Sequence, residues 1–290
     1  PPIRRVRGRP AVSVSTAPSE LPFKKKMSTS SPESTSIGKP SFQRALEAAH
    51  AAAGGQDYPP GIFQSRFADG SQLVRDALDQ GRFGKLVLGD AYIKWYRSPQ
   101  YYASGKWRGT KKLDGGGALM NQGIHQIDLL QWFMGPVVSV KAQCKRALHE
   151  QLEVEDLAVA LLEFENGAYG VIEGSTAIWP GHSARVEVHG TRGSVVLEDG
   201  AIKFWQFDQP APVDRKVKKL MARESELGTG AADPLAGLKI EGHRRQIKDF
   251  AEAILQNRPP RIDGREGRNA VAIIEAIYRA AATGKTVRLK

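Results

Sequence analysis

Cysteine is almost missing from this sequence, with Cys144 alone among 290 residues. One thiol closes no internal disulfide, and no Cys/His spacing matches a zinc site, so a reducing, cytoplasmic setting and no metal are expected. Long apolar runs are missing too. No stretch approaches the roughly 20 residues of a membrane span, and the start lacks the apolar segment of a signal peptide, so no membrane partner is expected. No G-x-G-x-x-G turn, Walker loop or serine nucleophile elbow occurs anywhere. Aromatics make up 8% of the chain and are not interleaved with its basic residues, which argues against nucleic-acid binding despite a formal charge of +11. That charge is also spread out. Residues 1–60 hold nine Lys/Arg and four Asp/Glu, net +5, leaving +6 over the other 230.

Composition breaks near Pro59-Pro60. Nine of the seventeen prolines and nine serines fall in residues 1–60, in runs such as Ser28-Thr29-Ser30-Ser31-Pro32 that have no apolar period. Such a stretch buries little, so a disordered or degenerate lead is expected. Only Ser41–Ala53 has good helix formers, stopping at Gly54-Gly55. The first residue is Pro rather than Met, which is the mark of a fragment, a processed product or a translation begun inside a reading frame; an Arg/Ser-rich transit peptide is a further alternative.

From Gly61 the pattern is that of a folded domain. Ile62-Phe63 is expected to begin a short strand, followed by a helix carrying Leu73, Val74, Ala77 and Leu78 and closed by Gly81. Strands are expected at Lys85–Trp95, Val137–Cys144, Val159–Glu165, Ala168–Ala177, Ala184–His189, Ser194–Leu197 and Ala201–Phe207, with turns at Asn166-Gly167 and Asp199-Gly200. Asp208–Leu238 reads as a mobile loop, and helices at Gly242–Gln256 and Gly267–Ala282 close the chain. The fold class is α+β, built on a long, mostly antiparallel sheet.

One helix carries chemistry. In KKLDGGGALMNQGIHQIDLLQWFMGP, residues 111–136, a triple glycine opens an apolar helix, yet Asn121, His125, Asp128 and Trp132 recur at spacings of four, three and four. Buried polar groups need partners, so this stripe either bonds to neighbouring groups or lines a cleft. Gly115–Gly117 would let backbone or a ligand approach the helix N-terminus, whose free N–H groups favour negative charge. The plainer alternatives are a hydrogen-bonded core histidine and an ordinary glycine turn.

Over residues 61–290 the sequence resembles the Gfo/Idh/MocA family of NAD(P)-dependent oxidoreductases. The resemblance rests on FQSRFADG at 63–70, GKLVLGDAYIKWYRSPQYY at 84–102, WRGT at 107–110, DGGGALMNQGIHQIDLLQWFMGP at 114–136, VEVHGTRGSVVLEDG at 186–200 and GHRRQIKDFAEAI at 242–254. It implies an open-faced sheet with helices on one face at 84–290, preceded at 61–83 by the last strand and helix of a truncated Rossmann domain. It implies hydride transfer between NAD or NADP and a sugar-like hydroxyl or carbonyl substrate, with His125 moving the proton and Asp128 as a supporting carboxylate. Asn121 stands where many members carry an aspartate. Tyr96, Arg97, Tyr102, Trp107, Arg108, Gln122 and Trp179 are candidate substrate contacts, and Gln64 and Arg66 candidate cofactor contacts. Gly38-Lys39-Pro40 echoes the family's Glu-Lys-Pro lysine at Lys39. The missing glycine-rich turn suggests that residues 1–60 are a frame-shifted translation, and it keeps open a second reading. In that reading the chain is a cofactor-less module that forms a homo-oligomer through its open sheet face.

Overall fold

The computed structural model describes residues 61–226 and 240–289. Lys39, the helix-like stretch 41–53 and Gly228–Gly230 lie outside the described residues. Eight strands form one sheet in the order β7-β6-β5-β1-β4-β3-β2-β8. They are β1 (Leu86–Lys94), β2 (Val137–Lys145), β3 (Leu157–Phe164), β4 (Tyr169–Ser175), β5 (Arg185–Gly190), β6 (Gly193–Glu198), β7 (Ala201–Phe207) and β8 (Val287–Arg288). Only β1 and β4 run parallel, with Leu88 opposite Tyr169 and Lys94 opposite Ser175. Every other pairing is antiparallel, so the sheet is mostly antiparallel as expected.

Local chemistry sets the turns. Asp199 (φ 47°) and Gly200 (φ 80°) both take the left-handed conformation that a two-residue turn matched to strand twist requires. Between β3 and β4, Asn166 Oδ1 accepts from Ala168 N, while its amide donates to the Met134 carbonyl at 2.8 Å. Alternation then gives the sheet two faces. In β3, Ala158, Ala160, Leu162 and Phe164 are buried, whereas Val159 and Leu161 are about half exposed at 47% and 50%. The inner face carries α3 (Ile124–Met134) across β1 and β5, and α6 (Gly264–Thr283) on β2. Ile93, Leu119, Ile127, Leu130, Ile172, Ile274 and Ile277 fill the layer between. Leu88, Val159, Leu161 and Tyr169 are left exposed on the outer face.

The expected strand at Ile62-Phe63 does not form. A 3-10 turn, Gln64–Phe67, takes its place. The reason is that one side-chain amide serves both flanking backbone groups: Phe63 N donates to Gln246 Oε1 at 3.0 Å, and Gln246 Nε2 donates to the Gly61 carbonyl at 2.9 Å. Gln246 belongs to α5 (Ile240–Leu255), and α1 (Asp69–Asp79) follows the turn and buries Leu73, Val74 and Ala77.

The expected loop over 208–238 is also corrected within its described part. α4 (Val213–Glu226) forms there and packs on β7, with Val217 fully buried. Its apolar period of Val213, Val217, Leu220 and Met221 is hidden in the sequence by Lys216, Lys218 and Lys219. Asp214 anchors it, accepting from Arg82, Trp205 Nε1 and Ala211 N. Among the described residues, no helix is long and apolar enough to cross a membrane.

Candidate active site

The helix bearing His125 begins with a π-helical turn, Ala118–Gly123, and becomes regular α3 at Ile124. Its N-terminus is closed by this chain's own carboxylate rather than open to a ligand. Glu155 accepts from Gly117 N and Leu119 N, both at 3.0 Å, and from the Tyr278 hydroxyl at 3.0 Å. A Cβ on Gly117 would lie 1.8 Å from the Glu155 carbonyl, and one on Gly116 would lie 2.4 Å from the Tyr278 hydroxyl. The glycines therefore admit the Glu155 backbone and the Tyr278 side chain, so of the two approaches the sequence left open, backbone or ligand, it is the protein's own that is seen. Burial pushes the Glu155 carboxyl up, against the hydrogen bonds it accepts from Leu119, Tyr278 and Gly117.

His125 is partly buried, with the Phe63 ring edge-on at 6.2 Å. Burial, helped by nearby His243, pulls the imidazole down to about 4, so it is neutral at pH 7. Its Nδ1 is buried and has no hydrogen-bond partner among the described residues. Asp128 does not support it. That carboxylate binds Arg66 through Nε at 2.8 Å and Nη2 at 2.6 Å, and Arg66 Nη1 reaches Glu266 at 2.7 Å. Arg66, 4% exposed and stacked over Trp132 at 5.3 Å, is thereby spent as a tie between the 64–67 turn and the helix. This replaces the expected cofactor contact.

Asn121 and Gln122 hold the loop that precedes the helix. Asn121 Nδ2 donates to Asp114 Oδ1 at 2.6 Å, and Asp114 Oδ2 accepts from Gly109 N. An aspartate at 121 would set two carboxylates against each other, so the amide fits where a carboxylate would repel. Gln122 Nε2 donates to the Tyr101 hydroxyl at 3.2 Å, which also accepts from Arg108 Nη1 at 2.7 Å. The Arg97 guanidinium lies over Trp95 and Tyr101, and Arg108 stacks on Tyr101 and on half-exposed Trp107. Tyr96 and Trp179 meet edge to face at 5.1 Å, with Trp179 75% exposed.

Tyr102, on α2 (Pro99–Ala103), is different from the other candidates. It is buried with Leu152 and Val154, its hydroxyl is bonded to Thr176 Oγ1 at 2.7 Å, and burial pushes that hydroxyl up to about 12. The structure places it in a small core beneath the loop, which corrects its reading as a substrate contact. Sequence reasoning missed its neighbour Tyr101, although the Tyr-Tyr doublet was a signal, and it also missed His149. The His149 ring bonds Asp156 through Nδ1 and the Arg97 carbonyl through Nε2, both at 2.9 Å. Against the effect of burial, the N–H groups of Ala147, His149 and Leu148 hold the Asp156 carboxyl low.

The dinucleotide finds little here. No G-x-G-x-x-G turn between a strand and a helix exists among the described residues, and Arg66 is fully engaged, so they do not by themselves fit a pyrophosphate. Gln64 Oε1, buried without a partner among the described residues, is the one remaining candidate. A cavity of about 620 Å³ bordered by Lys111, Lys145, Arg146, Glu155 and Tyr278 lies beside the glycine turn, and His125 does not line it. On the outer sheet face Asp90, Glu187 and His189 bring three candidate metal-ligand atoms within 4.8 Å. Bonds from His189 to Glu187 and Ser194, and from Val171 N to Asp90, account for this cluster.

Residues 75–289 match the model of the Gfo/Idh/MocA oxidoreductase family, C-terminal alpha/beta domain. The uncharacterized oxidoreductase YrbE of Bacillus subtilis is 29% identical over 179 residues, covering 60% of this chain and 49% of the relative. The scyllo-inositol 2-dehydrogenase (NAD(+)) of the same organism is 27% identical over 139 residues, covering 47% of this chain and 38% of the relative. Among solved structures, the WlbA dehydrogenase from Bordetella pertussis in complex with NADH and UDP-GlcNAcA superposes with a TM-score of 0.70 at 32% identity, covering 79% of this chain and 64% of that one. The chain spans about half the length of the YrbE relative, or less for the inositol enzyme. With its open-faced sheet and its helix-borne histidine matched over residues 75–289, the chain belongs to the Gfo/Idh/MocA oxidoreductase family.

Proposed function

We propose that this chain supplies the substrate half of an NAD(P)-dependent dehydrogenase acting on a hydroxyl of a sugar or polyol. The observation that carries this reading is His125, a neutral imidazole with a buried nitrogen unpartnered among the described residues, on a helix tied through Asn121 and Gln122 to an aromatic loop. A neutral imidazole takes up the proton that a hydroxyl loses as its carbon is oxidised, and returns it in the reverse direction. The nicotinamide, when bound, supplies the hydride exchange. Tyr96 and Trp179 offer ring faces to a hydroxyl-rich ligand, and Asn121 fixes the loop through Asp114. Family membership and the sugar- and inositol-directed relatives support the substrate class.

A second reading is favoured by one feature, the absence of a G-x-G-x-x-G turn in all 290 residues. In that reading the chain binds no cofactor and works as an oligomerising module. The exposed row of Leu88, Val159, Leu161 and Tyr169 is the surface that a second copy would cover. The one thiol, Cys144, fits a cytoplasmic protein.

Titration of the folded chain with NADH and NADPH, followed by energy transfer from its five tryptophans, separates the two. Saturable binding, then turnover of polyols that His125→Ala abolishes, supports the dehydrogenase. No binding by folded protein supports the module, and unchanged turnover in His125→Ala removes the role of that histidine.

A further inference from the structure

Between β1 and the His125 helix, residues 95–117 carry Arg97, Lys106, Arg108, Lys111 and Lys112 against a single acid, Asp114. Both oxygens of that acid are already taken, by Gly109 N and Asn121 Nδ2. Two of the cations converge on one ring. The guanidinium carbons of Arg97 and Arg108 lie 5.3 and 4.2 Å from the Tyr101 centroid. Neither meets a carboxylate among the described residues, whereas Arg66, Arg75 and Arg82 each do. Each guanidinium has five N–H donors, yet Arg97 places one hydrogen bond, from Nη1 to the Tyr96 carbonyl, and Arg108 one, to the Tyr101 hydroxyl. Arg97 Nε is buried and donates to nothing among the described residues.

Two like charges held on one ring without a counter-ion repel each other, and a buried unused donor costs stability. Both costs are relieved by an anion. Gln122, bonded to the same Tyr101 hydroxyl, joins this pair to the helix three residues before His125, and its own Oε1 is buried without a partner among the described residues. We propose that Arg97 and Arg108 bind a negatively charged group, carboxylate or phosphate, carried by the sugar-like substrate. The inference rests on the substrate-site reading above and narrows it to acidic sugars. Planar guanidinium forks match both groups in a two-pronged geometry that lysine cannot reproduce.

The test uses the full chain and tryptophan fluorescence, since Trp95 and Trp107 lie against these guanidiniums. No turnover is needed. D-glucuronate and D-glucose 1-phosphate are titrated beside D-glucose. At least one anionic sugar is expected to bind roughly 10-fold tighter than glucose, and whichever it is names the charged group. Its binding weakens as salt rises from about 50 to about 500 mM, while glucose binding does not move. In Arg97→Gln/Arg108→Gln the anionic sugars fall to the glucose level. Glucose bound as tightly as both anions, or a double variant that keeps the preference, overturns the inference and leaves the substrate-site reading standing. If the double variant fails to fold by circular dichroism, salt-insensitive anion binding by the unaltered chain overturns it instead. Failure of all three sugars to bind overturns both.

Discussion

Removing Arg66 would show what holds the 64–67 turn against the His125 helix. Arg66 and Asp128 are 4% and 0% exposed, joined by two hydrogen bonds of 2.8 and 2.6 Å. In Arg66→Met the Asp128 carboxylate stays in the core without its donor, and breaking one side of such a buried pair costs about 3–5 kcal/mol. Glu266 is 43% exposed, so losing its contact adds little. At roughly 2–4 °C per kcal/mol for a chain of this size, the midpoint falls by about 6–20 °C. Arg66→Met/Asp128→Leu leaves no unpaired charge and recovers part of the loss, giving a coupling of about 2 kcal/mol. The pH dependence has a definite sign. Burial already pushes Asp128 up to about 6, against the pull of Arg66, and without Arg66 it rises further. A carboxyl whose folded value lies above its unfolded value of about 3.9 holds its proton more tightly when folded. The penalty is therefore absent below about pH 4 and grows as pH rises through the folded value. Urea unfolding of Arg66→Met and the parent from pH 8 to pH 5 reads this directly, and the deficit should shrink toward pH 5. A loss under about 1 kcal/mol, or a deficit that widens on acidification, would refute the reasoning.

Three further outcomes follow from the same geometry. Because burial holds His125 down at about 4, the acid limb of a pH–rate profile should fall near 4; a limb near the usual imidazole value of about 6.5 would contradict its burial. Asp214 is held down at about 2, where burial is outweighed by Arg82, Trp205 and Ala211 N, so its contribution is complete above its unfolded value and is lost as pH falls toward 2. Asp214→Ala should cost about 1–3 kcal/mol and speed proteolysis within 208–226, and a variant as resistant as the parent would detach Asp214 from the docking of α4. Gly117→Ala should fail to give soluble folded protein, since its Cβ meets the Glu155 carbonyl at 1.8 Å, whereas loss of the Asp263 cap at the start of α6 should cost only about 1 kcal/mol. Equal expression and melting of the two variants would show that the turn can open.

Strands were legible where a pattern was local. Asp199-Gly200 marked its turn because both residues take the left-handed backbone, and Asn166-Gly167 marked the other because Gly167 alone does so while the Asn166 side chain bonds Ala168 N. The strand at β3 was legible from its apolar run, but which face lies inward was not, because Val159 and Leu161 on the outer face are as apolar as Ala160 and Leu162 on the inner one. What failed was decided by distant partners. Ile62-Phe63 has the composition of a strand, but its backbone is satisfied by Gln246, 183 residues from Phe63. Asp208–Leu238 has the charge of a loop, yet Val213, Val217, Leu220 and Met221 find β7, and Arg82 supplies the counter-charge to Asp214. Neither partner could be named from the segment itself.

The same division runs through the site. His125 stood out because a histidine on so apolar a helix is locally anomalous, and Asn121 and Gln122 lie on the same turns of that helix. The triple glycine stood out equally, but its meaning depended on Glu155, 38 positions from Gly117 in sequence, whose carboxylate takes the N–H groups that a ligand would otherwise meet. That difference bears on chemistry. A helix N-terminus left free would draw an anion by its dipole, and the charge preference of the site would then be fixed by the backbone. With Glu155 seated there, the backbone's demand for negative charge is met inside the protein. On the proposed reading, selection among charged and neutral sugars therefore falls to the loop, where Arg97 and Arg108 flank Tyr101 with no carboxylate of their own among the described residues. Substituting those two arginines should change which sugar binds, whereas substituting Glu155 should change whether the His125 helix is held at all.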